Sequence, residues 1–198
     1  DFTGGAELND FSLLRQFKER GILVEEVYSK DVTPQFLSDN LKANFIVANF
    51  VALPPHSKQY MMENNQYVIY EHDHKYLQKR NPIFYKDFTA PKNELANIEF
   101  FAAAKATVCL TQLALDVFKR NTGLENVDKI GASVWRDEDL DYLVELNAQS
   151  EKNGLAAIMD SPNPIKKKFQ CIEFCEKKQI PHELISDRDH RNFLKKLS

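Results

Sequence analysis

Asn44-Phe45-Ile46-Val47-Ala48-Asn49-Phe50, a helical stretch from Pro55 to Glu63, and then Tyr67-Val68-Ile69-Tyr70-Glu71 decide the fold of this chain. Both outer runs are short, rich in β-branched and aromatic residues, and apolar at successive rather than alternate positions. A strand that is apolar on both faces belongs inside a parallel sheet, and a strand, a helix and a second such strand in that order make one parallel unit.

The rhythm extends both ways. Upstream lie a strand over Ile22–Tyr28 and a helix over Pro34–Leu41. Downstream come a helix over Pro91–Ala104, a strand over Ala106–Leu110, a helix over Gln112–Asn121 and a strand over Val127–Ile130. Pro, Gly or Asn bounds each segment. The alternation predicts an α/β fold: a Rossmann-like parallel sheet with helices on both faces. Ligands of such sheets collect outside the carboxyl ends of the strands.

An acidic helical connector, Glu138-Asp139-Leu140-Asp141-Tyr142-Leu143, and a polar patch at Asn147–Asn153 close this first domain, residues 1–149. Strand Gly154–Met159, helix Ile165–Lys178, strand His182–Ile185 and helix Arg188–Leu197 restart the alternation in residues 150–198. A piece of about 45 residues buries too little core to stand alone and needs other chain to pack on.

Composition narrows the function classes. With 43% hydrophobic and 28% charged residues, the 198-residue chain has the profile of a globular protein, not of a disordered or membrane-spanning one. Residues 1–149 carry 16 basic and 22 acidic side chains, residues 150–198 carry 10 and 7, and the pI is near 6.0. That balance argues against a nucleic-acid partner, which calls for a basic surface. No run is long and apolar enough for a transmembrane segment and no leader is visible, so the expected location is cytoplasmic. The spacing of Cys109, Cys171 and Cys175 suits neither a disulfide framework nor a zinc knuckle, and all three read as reduced thiols.

Three elements carry candidate chemistry. Gly4-Gly5-Ala6-Glu7 opens the helix that contains Phe11–Arg20, and paired glycines there expose backbone N–H groups to a phosphate or sugar oxygen. The same glycines also serve plain turn geometry, with Glu7 complementing the helix dipole. Such a loop normally follows a buried strand, so one is expected before Asp1 or from another segment. Glu71-His72-Asp73-His74 follows a strand at its carboxyl end, where His72 or Asp73 can bind a sugar hydroxyl; a metal shared by His72, His74 and His56 is the lesser reading. Asp160-Ser161-Pro162-Asn163-Pro164-Ile165-Lys166-Lys167-Lys168 joins a stiff loop to a helix start beside three lysines, a seat for a diphosphate or simply a solvated lysine run. Phosphate-loop, GxGxxG, GxSxG, HExxH and CxxC motifs do not occur.

In this order the three elements resemble retaining glycosyltransferases of the GT-B fold. Gly4–Glu7 looks like that family's Gly-Gly loop, and Tyr70–His74 is similar to its His-Asp segment near the transferred sugar. Val108–Gln112 looks like the strand and Ser/Thr before the last acceptor-lobe helices, and Lys129–Trp135 stands where the family has Pro-Asn-Gly-Val-Asp. Lys166 fits the family's diphosphate-binding Lys, whereas no Arg stands near Asp160–Ser161. The family's late acidic pair, a Glu-x7-Glu in the donor lobe, has no counterpart in residues 150–198. The resemblance therefore implies an acceptor lobe plus the start of a donor lobe, with catalytic His72 and Asp73. It implies donor contacts from Gly4, Gly5, Glu7 and Lys166, and no metal or cofactor beyond the nucleotide-sugar co-substrate. The partners it implies are a nucleotide-sugar donor and a glycan or lipid-linked acceptor. A non-catalytic module that binds a sugar or a protein is the alternative, and an epimerase-like enzyme is disfavoured by the missing GxGxxG.

Overall fold

The computed structural model describes residues 4–22, 24–149, 153–187 and 189–197; Leu23 of the expected first strand, Arg188 of the expected last helix and part of the 147–153 patch lie outside them. The chain divides into two compact units, residues 13–134 and residues 1–12 with 135–198. Among the described residues no helix is long and apolar enough to cross a membrane.

The 13–134 unit is the parallel α/β sheet that the alternation predicts. Strands β1 (Asn44–Val47), β2 (Gln66–Glu71), β3 (Ala106–Cys109) and β4 (Val127–Lys129) lie in that order, all parallel. Helix α1 (Gly5–Glu19) spans the division between the units, and α2 (Pro34–Asp39) precedes β1. Helices α3 (Pro55–Asn64), α4 (Ile98–Ala103) and α5 (Gln112–Thr122) connect the strands. Their ends follow capping chemistry. Thr33 and Thr111 accept the N–H groups of Phe36 and Ala114, Pro34 and Pro55 take the first helical position, and Gly123 closes α5 at φ +69°.

Every step from β1 to β4 moves to the adjacent strand in one direction, and α3, α4 and α5 lie in the crossovers between them. Met61, Phe100, Phe101 and Phe118 from those helices join Tyr67, Ile69 and Cys109 from the strands in a single core. Tyr67 stacks on Phe100 with ring centroids 4.8 Å apart, and its hydroxyl donates to the Phe100 carbonyl at 2.6 Å.

Two sequence expectations are corrected. Ile22–Tyr28 forms no strand at its described positions, and only Val27 packs against the core; adjacent Glu25 and Glu26 cannot both turn outward while the segment buries a face. The single helix expected over Pro91–Ala104 is broken into a 3₁₀ turn at Lys92–Glu94 and α4, because Leu95 bridges to Leu77 and Asn97 turns left-handed at φ +56°.

In the other unit β5 (Ala156–Met159) and β6 (His182–Ile185) pair in parallel, with α6 (Asp137–Gln149), α7 (Lys168–Lys178) and α8 (His190–Leu197) beside them. Leu146, Ile158, Cys175, Ile185 and Leu194 are buried there. Helix α6, read from sequence as the connector ending the first domain, groups with this unit, where Arg136 holds Asp139 with two hydrogen bonds of 2.7 and 2.8 Å.

Candidate functional site

The carboxyl end of β2 is built around a buried carboxylate. Glu71 is the last residue of the strand, and its side chain sits on the core face opposite Cys109 of β3. Its Oε1 accepts the N–H groups of Asp73 at 2.8 Å and Lys75 at 3.3 Å, so the chain turns back around the carboxylate. The Lys75 ammonium lies 3.5 Å from the same oxygen and 2.6 Å from Asp73 Oδ1, and both Glu71 and Lys75 side chains are only 3% exposed. Arg80 pairs with the other Asp73 oxygen. Asn97 donates to the Lys75 carbonyl at 2.8 Å and accepts from the Lys58 ammonium at 3.0 Å. His74 and Arg80 stand in the left-handed region at φ +56° and +52°, a strained backbone held by these bonds.

Burial sets the protonation chemistry. Desolvation raises the Glu71 carboxyl above its ordinary value, and the neighbouring Lys75 charge opposes that without overcoming it. The Cys109 thiol is pushed up to about 12 by burial and then by the Glu71 charge, which makes it an inert packing group. Tyr76 is raised by burial, and its hydroxyl lies 2.7 Å from His74 Nδ1. Burial and the Lys75 charge lower His74, so its ring stays neutral. The His72 ring meets Tyr70 edge-on at 4.3 Å. Among the described residues no three His, Cys, Asp or Glu side chains converge on a metal-sized space.

Gly4 donates its N–H to Glu7 Oε2 at 3.0 Å, which puts the Glu7 carboxylate to work capping its own helix. Helix α1 starts at Gly5, and its buried residues are the polar Asn9 and Ser12, while Phe11 is exposed. A Cβ added at Gly5 would meet nothing within 4 Å, and its φ is not among the positive ones. The protein itself therefore does not require glycine here. Gly5→Ala is expected to stabilise the fold by about 0.4–1 kcal/mol, measured by urea unfolding; a destabilised variant would show that the local backbone needs the glycine.

Past β5, Pro164–Lys166 form a 3₁₀ turn, and Lys167 at φ +57° leads into α7 with no side-chain cap on the helix start. Lys168 is tied to Asp160 at 2.8 Å, whereas Lys166 is exposed and has no ion pair among the described residues. It lines an apolar groove with Met159, Gln170 and Phe174. Cys175 is buried and Cys171 exposed, both as free thiols.

Gly4, Gly5, Glu7 and Lys166 thus belong to one unit, and His72 and Asp73 to the other. Within the 13–134 unit the structure joins Asp73 to Glu71, Lys75 and Arg80, three residues to which sequence reasoning assigned no role. Lysine is the residue least expected in a core. The available signal was its position four residues after a strand-ending Glu and directly before the apolar Tyr76-Leu77. No family model, no curated protein and no solved structure matches the chain.

Proposed function

We propose that the chain is the acceptor-side part of a cytoplasmic, metal-independent glycosyltransferase that moves a sugar from a nucleotide-sugar to a glycan or lipid-linked acceptor. The observation that carries this reading is the loop after β2. Two buried charged residues and a strained backbone are spent on holding His72 at the carboxyl end of a parallel sheet, where such folds keep their ligands. In the transfer the sugar C1–O bond breaks with its electron pair going to the diphosphate. The acceptor hydroxyl bonds to C1 and its proton is released to the leaving phosphate. On this reading His72 is the candidate that orients the sugar in the 13–134 unit, and Lys166, taken by itself, is the candidate contact for the negative charge that builds on a leaving diphosphate.

One observation favours a binding module instead: Asp73 is already engaged by Lys75 and Arg80, so its carboxylate is a brace and not a base. Release of nucleoside diphosphate from UDP- or GDP-linked sugars, assayed with a full donor lobe present, separates the two readings, since a module gives none. With a full donor lobe present, Lys166→Ala is expected to weaken UDP or GDP binding by about tenfold to a hundredfold, the scale of a lost charge-assisted hydrogen bond, whereas the 198-residue chain alone should bind either nucleotide poorly. Titration calorimetry checks it, and unchanged affinity removes Lys166 from the site.

A further inference from the structure

Residues 79–92 carry Lys79, Arg80, Lys86 and Lys92 against one acid, Asp87, in a chain whose net charge is −3. The same stretch leaves Ile83 64%, Phe84 60% and Phe88 41% exposed. A local excess of cations around exposed aliphatic and aromatic side chains has the composition of an interfacial anchor.

The stretch is pre-formed. Two 3₁₀ turns, Pro82–Phe84 and Lys86–Phe88, pack on each other. Arg120 donates to the Asp87 carbonyl at 2.7 Å, and Asn121 donates to the Phe88 carbonyl and accepts the Ala90 N–H, both at 2.8 Å. These bonds hold Asp87 and Phe88 in succession in the left-handed region, at φ +51° and +58°. That is costly for side-chain-bearing residues and leaves Phe88 outside the core. Tyr85 is turned inward onto Glu94 at 3.0 Å. Lys79 and Arg80 are paired with Glu94 and Asp73, whereas Lys86 and Lys92 have no acidic partner among the described residues.

We propose that the 79–92 loop docks on an anionic lipid bilayer, with Ile83, Phe84 and Phe88 entering the headgroup region and Lys86 and Lys92 meeting lipid phosphates. Anionic headgroups complement the two uncompensated lysines, and three apolar side chains form a tip that suits shallow insertion. A stable protein partner would need a contiguous face of about 800 Å². The proposal stands independently of the glycosyltransferase reading.

Co-sedimentation of the whole chain with vesicles tests it. Binding is expected to phosphatidylcholine vesicles containing roughly one third phosphatidylglycerol, with little to phosphatidylcholine alone and a decline as salt is raised. Ile83→Ser with Phe84→Ser, and Lys86→Glu with Lys92→Glu, should each lower partitioning about tenfold or more. Lys42→Glu, the same charge change at an exposed site before edge strand β1, should leave it unchanged. If a double variant loses the native circular dichroism, the single changes Ile83→Ser and Lys92→Glu repeat the measurement. A chain that ignores both kinds of vesicle overturns the proposal and leaves the patch to a protein partner. Equal loss in Lys42→Glu, or full binding by the Ile83/Phe84 variant, overturns it as well.

Discussion

Replacing Lys75 by alanine is expected to cost about 3–5 kcal/mol of folding stability, because it strands a buried carboxylate. Glu71 and Lys75 are each 3% exposed, and the ammonium lies within reach of two carboxylates, Glu71 and Asp73. A buried pair of this kind adds little over a well-packed apolar substitute, yet losing one member is severe because the other stays desolvated without compensation. Lys75→Met separates charge from packing. It keeps an unbranched apolar stem and removes the ammonium that lies 5.8 Å from the Phe50 ring centroid, so a large loss in this variant too assigns the cost to charge. If Lys75→Met unfolds at the wild-type urea midpoint, the pair contributes nothing and the account of the loop fails.

The pH dependence has a definite sign. Burial makes folded Glu71 hold its proton more tightly than the unfolded chain does. Its contribution is therefore full below the ordinary carboxylate value and is lost as pH rises through the raised one. Lys75 works against this shift, so removing it moves the folded value further up and widens the window of loss. The cost of Lys75→Ala should accordingly be greatest near neutral pH and shrink on acidification towards about pH 4, where Glu71 is protonated in both proteins. Urea midpoints across that range give the difference directly, and a cost that grows on acidification contradicts the assignment.

The sheet was legible because its central strands have one feature tertiary context cannot hide. Tyr67–Glu71 and Ala106–Leu110 are apolar on successive positions and flanked by helical patterns, and β2 and β3 fall within a residue of those bounds. Segments with weaker signals were decided by contacts distant in sequence. Pro91–Ala104 reads as one helix from local propensity, but Asn97 spends its amide on the carbonyl of Lys75, 22 residues away, and the left-handed turn this imposes starts α4 late. The site divides the same way. His72 and Asp73 stood out as polar groups at a strand's carboxyl end. That Asp73 is held by Lys75 and Arg80 follows from how the loop folds back on Glu71, and no spacing rule encodes it.

His72→Ala should lower sugar transfer by about a hundredfold or more while changing stability by about 1 kcal/mol or less. The two histidines of the motif make the test internal. His74 is half-buried, its Nδ1 lies 2.7 Å from the Tyr76 hydroxyl, and Tyr76 is fully buried against Phe101 and Phe118. His74→Ala leaves that hydroxyl without its partner and should cost about 1–3 kcal/mol of stability. His72 is also half-buried and meets Tyr70 edge-on. Activity and stability thus separate: loss of transfer without unfolding for His72, loss of stability for His74. Release of nucleoside diphosphate measured beside urea unfolding for both variants reads the two effects independently. Full activity in His72→Ala removes the histidine from the chemistry. A loss that only tracks unfolding makes it one more structural member of the loop that Glu71 and Lys75 hold.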